Sequence, residues 1–200
     1  MLIEFIGLPG SGKTTYLKKI IEKDTITREK IEQMKIPIRM ELAFYFSEWK
    51  LFVLFAAGVC YNFEFRIKRW YALIIGVRAT FKQYAYVYNC AKKNEITSIV
   101  LDEGLYQRAL SVFSYNERKY NERLLKIVVK RINHLNIINA VYFFEISVKE
   151  SIARCNGREG GLPFRFQSFN GVELDKRMNI FYKGIINLIK TMKPELTIIR

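Results

Sequence analysis

The residues with the clearest chemistry stand between Gly7 and Thr15, in the stretch GLPGSGKTT. Gly7, Gly12, Lys13 and Thr14 occupy the fixed positions of the spacing G-x-x-x-x-G-K-[ST], with Gly10, Ser11 and Thr15 beside them. Glycines carry no Cβ, so such a turn can curl and aim successive backbone N–H groups at one point. A helix starting there adds the positive end of its dipole, and together these groups seat phosphate oxygens. Lys13 supplies a point charge for the β- and γ-phosphates, and the Thr14 hydroxyl is placed to ligate Mg²⁺. An apolar run, Leu2 to Ile6, precedes the turn, and an amphipathic stretch from Lys13 to about Lys23 follows it. Strand, turn and helix in that order predict a seat for a nucleoside triphosphate, with ATP and Mg²⁺ as the bound species.

Two further groups of residues suit the same chemistry. The short β-branched run Thr97 to Leu101 reads as a buried parallel strand and ends in Asp102 and Glu103. A carboxylate at the end of a strand beside the phosphate turn holds the metal and its waters, which suits Asp102. Glu103 is a candidate to orient or deprotonate a nucleophile. Arg154 and Arg158 are four apart, in the segment SVKESIARCNGREGGLPFR. Gly157, Gly160 and Gly161 would hinge that segment, and Arg165 lies beyond. Phosphoryl transfer leaves little covalent work to the protein; it needs positive charge that closes over the moving group. A Gly/Arg loop is suited to that, as a lid over about 154–166.

The elements that must hold these groups follow from the pattern. Asp24 to Lys35 is polar and shows no β-rich run. Met40 to about Val59 reads as one helix, apolar over most of its surface and therefore buried. Trp70 to Lys93 continues as a long helix on which Arg78 and Lys82, and Tyr84 and Tyr88, share faces. Leu105 to Phe113 is a short amphipathic piece. Asn116 to Leu135 is a helix with a solvated stripe of Lys119, Arg123, Lys126 and Lys130. Ile138 to Ile146 is a buried strand. Ser147 and Glu150 form a capping box for a helix from Val148 to about Asn156. Gly171 to Met192 is the last helix and Thr197 to Arg200 the last strand. Alternating strands and helices predict an α/β fold, a three-layer α/β/α sandwich on a mostly parallel sheet. Ligands in such sheets bind at the carboxyl ends of the strands, which is where Gly7–Thr14, Asp102 and the residues after Ile146 fall.

The chain has 200 residues, half of them hydrophobic, enough for one domain with its own core. A net charge of +14 asks for anionic ligands, which nucleotide phosphates satisfy without nucleic acid. Arg66, Arg69, Arg78 and Lys82 read either as a site for an anionic acceptor or as a solvated basic helix face, the second being favoured. Cys60, Cys90 and Cys155 show no metal or redox spacing and read as reduced thiols of a cytoplasmic protein. The charge-free run Leu51 to Tyr61 is shorter than the roughly 20 residues a transmembrane helix needs. Apposition of Phe44 to Tyr61 to a membrane surface is the less favoured reading. His134 has no role.

A leading GLPGSGKTT, a strand ending in Asp-Glu-Gly, and a strand–helix–arginine lid resemble the P-loop nucleoside and nucleotide kinases, the thymidylate-kinase-like group especially. That resemblance covers the layout of nearly the whole chain. It implies a five-stranded parallel core, Mg-ATP as donor on Gly7 to Thr15, Asp102 at the strand end, Arg154 and Arg158 as lid arginines, and an acceptor site roofed by helices over about 37–93. The family usually places an arginine after the strand-end acid, where this chain has Glu103 and Gly104. Either Glu103 has become the base or the acceptor is not a nucleotide. The expected activity is transfer of the ATP γ-phosphoryl group to a nucleotide, nucleoside or other small acceptor. The alternative is a P-loop NTPase or nucleotide-controlled binding module that works through a macromolecular partner.

Overall fold

The computed structural model describes residues 1–21, 25–61, 67–93, 98–114, 121–159, 161–163, 166–167 and 169–200, with backbone alone at 67–69. The strands are β1 (Leu2–Gly7), β2 (Ile26–Thr27), β3 (Ile99–Leu101), β4 (Ala140–Phe144) and β5 (Glu195–Ile199). The helices are α1 (Lys13–Ile20), α2 (Arg28–Gln33), α3 (Ile38–Ser47), α4 (Trp49–Tyr61), α5 (Ile67–Lys92), α6 (Leu105–Phe113), α7 (Glu122–Leu135), α8 (Val148–Asn156) and α9 (Gly171–Ile189). The five strands pair in the order β2-β3-β1-β4-β5, every pair parallel. The α/β/α sandwich expected from the alternation is therefore the observed fold.

β1 is buried on both faces, and its alternation divides the core. Ile3 and Phe5 face α1, where Phe5, Tyr16, Tyr142 and Phe144 pack ring against ring. Leu2 and Ile6 face the larger core, with residues of α4, α5, α6, α7 and α9. Helix α6 runs through that core, and every residue of it except Arg108 is buried. The piece that read as amphipathic is thus enclosed on all sides. Its neighbours approach closely: α4, α5 and α9 each present a glycine (Gly58, Gly76, Gly184) where a Cβ would overlap Val112 and Phe113, Arg108, or Ser114.

Two expectations are corrected. The single helix from Met40 to Val59 is two helices, α3 and α4, meeting at 90°. Glu48 makes the corner: its N–H donates to the Phe44 carbonyl (2.8 Å), and its own carbonyl accepts from Leu51 (2.9 Å) and Phe52 (3.1 Å). Its carboxylate reaches Arg131 on α7 at 2.8 Å, a long-range pair that local propensity does not contain. Nor is this segment buried throughout. Phe44, Leu51 and Phe55 are inside, whereas Phe46 is 77% and Trp49 56% exposed. No single helix among the described residues is long and apolar enough to cross a membrane.

A second strand does exist where none was visible. β2 has only two residues, Ile26 and Thr27, and Thr27 already caps α2 through its side chain and the Lys30 N–H (3.4 Å). So short a strand leaves no period to detect. The Ser147 cap is present, accepting from the Glu150 N–H at 3.2 Å, but the Glu150 carboxylate turns to Arg154. The side chains of Arg66, Lys68, Arg69, Lys119 and Arg165, and Gly160, lie outside the described residues.

Candidate active site

Parallel pairing brings the carboxyl ends of all the strands to one edge. Gly7 lies level with Phe144 of β4, and Glu4 is level with Leu101, the last residue of β3. The turn after β1, Asp102 and Glu103 after β3, and α8 after β4 therefore share that edge.

The turn is held from several sides. Gly10 and Gly12 have φ of 73° and 90°, a region in which a Cβ strains the backbone. Helix α1 starts from Gly12, which has no side chain to cap it, and its first turn is Lys13, Thr14, Thr15 and Tyr16. Such a helix end, with cationic and neutral side chains, accepts an anion. The Lys13 ammonium donates to the carbonyls of Gly7 (3.1 Å) and Leu8 (2.9 Å) and to Ser11 Oγ (3.1 Å). Thr14 and Thr15 are exposed at the mouth of the turn. Helix α8 braces the other side: Ser151 Oγ donates to the Pro9 carbonyl, and Gly10 lies against Cys155 Sγ and the Arg154 Cβ. Burial pushes the Cys155 thiol up, so it packs as a neutral group.

Asp102 is half-buried, and its Oδ1 is a buried oxygen without a hydrogen-bond partner. Burial pushes its carboxyl up; the Arg28 and Lys13 charges pull it back, and Glu103 adds to the rise. A buried carboxylate oxygen with no donor, beside a phosphate turn, is the donor a hard divalent cation takes. Thr14 and Asp102 therefore fit Mg²⁺.

Glu103 is drawn away by two guanidiniums. Its Oε2 accepts from Arg28 (2.9 Å) and Arg108 (3.2 Å). Arg28 also reaches Glu32 at 2.7 Å, and Arg108 Nε donates to Thr80 on α5 at 3.1 Å. Gln83 of α5 donates to the same Glu32 at 3.0 Å. Two arginines distant from Asp102 in the chain, Arg28 after β2 and Arg108 in α6, thus stand beside the residue that follows it. On the lid side, Arg154 is paired with Glu150, and Arg158 Nε donates to the Gly161 carbonyl at 2.7 Å. Tyr84 and Tyr88, on one face of α5, differ in setting: Tyr84 is fully buried, while Tyr88 packs on Phe44 and bonds Ser47. Arg78 is exposed on α5 and stays out of the Glu103 cluster.

Sequence reasoning missed Arg28, Gln107, Arg108 and, most of all, Glu4. Glu4 is fully buried in β1, and its two oxygens accept the N–H groups of Leu105 and Tyr106, each at 3.0 Å. One signal was present: Glu4 is the only charge in the run Leu2 to Ile6. Gln107 then clamps the first peptide of the turn, its Oε1 accepting from Gly7 N–H (3.1 Å) and its Nε2 donating to Gly7 O (3.3 Å).

Burial pushes the Glu4 carboxyl up to about 8, against the two N–H groups, which favour its anion. The unfolded chain ionises it near 4.5. Between these values the folded state holds the extra proton, so this group lowers stability as pH rises from 4.5 to 8 and leaves it level above 8. The nearby Tyr106 phenol is itself pushed up, by burial and by Glu4, and stays neutral across that range. Urea unfolding midpoints of the wild type are expected to fall over this interval more steeply than those of Glu4→Gln; parallel slopes would assign the Glu4 carboxyl an ordinary pKa.

No protein-family model and no curated protein sequence matches the chain. Solved structures do. Deoxyadenosine kinase from M. mycoides with bound dATP superposes with a TM-score of 0.53, at 15% identity over 100% of this chain and 90% of that one. The same enzyme with products dCMP and a flexible dCDP bound gives a TM-score of 0.50, at 15% identity over 100% and 90%. At that identity the likeness is one of fold. With its all-parallel sheet and the turn at the end of β1, the chain has the P-loop fold of the nucleoside kinases.

Proposed function

We propose that the chain is a kinase that transfers the γ-phosphoryl group of Mg-ATP to a small acceptor of the nucleoside or nucleotide class. The observation that carries the reading is the meeting, at one sheet edge, of the Gly7–Thr15 turn with the buried, undonated Oδ1 of Asp102. In this reading the turn N–H groups and Lys13 hold the triphosphate, with Gly7, Gly10, Ser11, Gly12, Thr14 and Thr15 around it. Thr14 and Asp102 hold Mg²⁺, which neutralises charge on the phosphates when bound. Arg154, whose Cβ lies against Gly10, and Arg158 serve as the lid arginines. Arg28 and Arg108 mark the acceptor side, with Glu103 between them as the group that receives the acceptor's hydroxyl proton or yields its place to an anion. The shared fold with a deoxyadenosine kinase, found with dATP in one structure and dCMP in another, supports this acceptor class.

The test is transfer of label from γ-labelled ATP across nucleosides, nucleotides, sugars and short oligonucleotides. Label on a nucleoside or nucleotide is the expected result. ADP release that needs no acceptor would favour the NTPase or binding-module reading, for which the exposed Phe46 and Trp49 offer a partner surface. A second measurement isolates the metal. Asp102→Asn is expected to lower turnover roughly 10²-fold or more and flatten its Mg²⁺ dependence. The thermal midpoint should hold or rise, because burial disfavours the charge that is removed. Normal Mg²⁺ dependence in this variant would move the metal role off Asp102.

A further inference from the structure

Helix α6 begins at Gly104, which has no side chain to cap the first N–H groups. Helices usually solve this locally, with Ser, Thr, Asp or Asn at the cap position. Here the cap comes from Glu4, 101 positions away from Leu105 and in the strand that leads into the phosphate turn. Gly104 lies at ordinary negative φ (−90°), so space, not backbone conformation, demands the glycine. A Cβ there would overlap the Glu4 Cδ and both carboxylate oxygens. A local cap would stabilise α6 equally well without placing a carboxylate in the core, but it would tie α6 to nothing else. Capping from β1 fixes the end of α6 against the strand. The same first turn of α6 carries Gln107 to the Gly7 peptide and Arg108 to Glu103.

We propose that Glu4 is a positioning residue for phosphoryl transfer: it latches α6 to β1, so that Gln107 holds the first peptide of the phosphate turn and Arg108 holds Glu103 in register with it. This rests on the kinase reading above. The link itself, from Glu4 through α6 to Gly7, is a property of the fold and can be measured without turnover. Backbone and side-chain anchors within the first turn of a buried helix oppose its rotating or sliding. The distance between the donor turn and the acceptor-side arginines is thereby set in the core.

The experiment is amide hydrogen exchange on the full chain in Glu4→Gln and Gln107→Ala, with kinetics alongside. Gln keeps the size of Glu but sets an NH₂ against one of the two N–H donors. In Glu4→Gln the amides of Leu105, Tyr106 and Gly7 are expected to exchange about tenfold faster or more, while β4 and β5 keep their rates. In Gln107→Ala only Gly7 should accelerate. The double variant should show no further change at Gly7 beyond Glu4→Gln alone, the mark of one shared path. With an acceptor in hand, Glu4→Gln should lower kcat about tenfold with a much smaller change in the KM for ATP. If Glu4→Gln does not fold, Glu4→Asp shortens the reach by one methylene, keeps the carboxyl group, and carries the same readouts. Unchanged protection at Gly7, or acceleration spread evenly over all strands, would overturn the latch and leave Glu4 a structural cap. Absence of phosphoryl transfer in the wild type would instead remove the kinase reading, and the exchange data would still decide the link.

Discussion

Lys13→Ala is expected to lower phosphoryl transfer by roughly 10³-fold, the scale on which a cation at the transferring phosphate acts. Two effects combine. The ammonium that would meet the β- and γ-phosphates is lost. So are the three hydrogen bonds by which it ties the Gly7 and Leu8 carbonyls and the Ser11 hydroxyl together. The second effect bears on the free protein, so calorimetry should show weaker ATP binding as well as slower turnover. The sheet does not depend on Lys13, and the thermal midpoint should move by only a few degrees. Labelled-ATP turnover, calorimetry and a thermal melt on one preparation check all three. Wild-type turnover in this variant would remove the Gly7–Thr15 turn from the active site.

The largest stability effect is expected from Gly104→Ala, at about 3 kcal/mol. The added Cβ falls on the Glu4 carboxyl group, which is enclosed by β1 and the start of α6 and has no open side to move into. Relief requires shifting α6, and α6 is packed by α4, α5 and α9 at their glycines. For a chain near 200 residues that cost corresponds to roughly 6–12 °C in the unfolding midpoint. A double-mutant cycle identifies the cause. With Glu4→Ala also in place the overlap disappears, so the pair should cost less than the sum of the single changes. Additive losses, or a Gly104→Ala protein melting within a degree or two of wild type, would show that the helix adjusts and that the close approach is not binding on the fold.

The parts legible along the chain were those whose reason is local. The Gly7–Thr15 turn is visible because glycine, lysine and threonine stand at a fixed spacing with an apolar run and an amphipathic stretch on either side. β3 is buried on both faces and β4 on one face with the other partly covered, and both read as continuous apolar runs. Asp102 is visible as the acid that ends one of them. The three-layer architecture follows from the alternation of such runs with helical periods. Where a local reason was short or absent, the reading failed. β2 has two residues and merges with the cap of α2. The corner at Glu48 is held by Arg131, 83 positions on, and no window of local sequence contains both.

The acceptor side shows the same division most clearly. By itself the sequence carried the pattern of a triphosphate seat, an acid on the neighbouring strand and an arginine-bearing segment after the fourth, because each lies within one strand–loop unit. It also showed an acidic residue where an arginine was expected, and it stopped there. Only the tertiary structure brings Arg28 and Arg108 onto Glu103, since parallel pairing sets the end of β2 and the start of α6 beside the end of β3. Only the tertiary structure turns Glu4 from one charge in an apolar strand into the cap of a distant helix. The physical reason is common to both. The partners of both acids, one half-exposed and one buried, are distant in the chain, because in a parallel sheet neighbouring elements are joined by long crossovers.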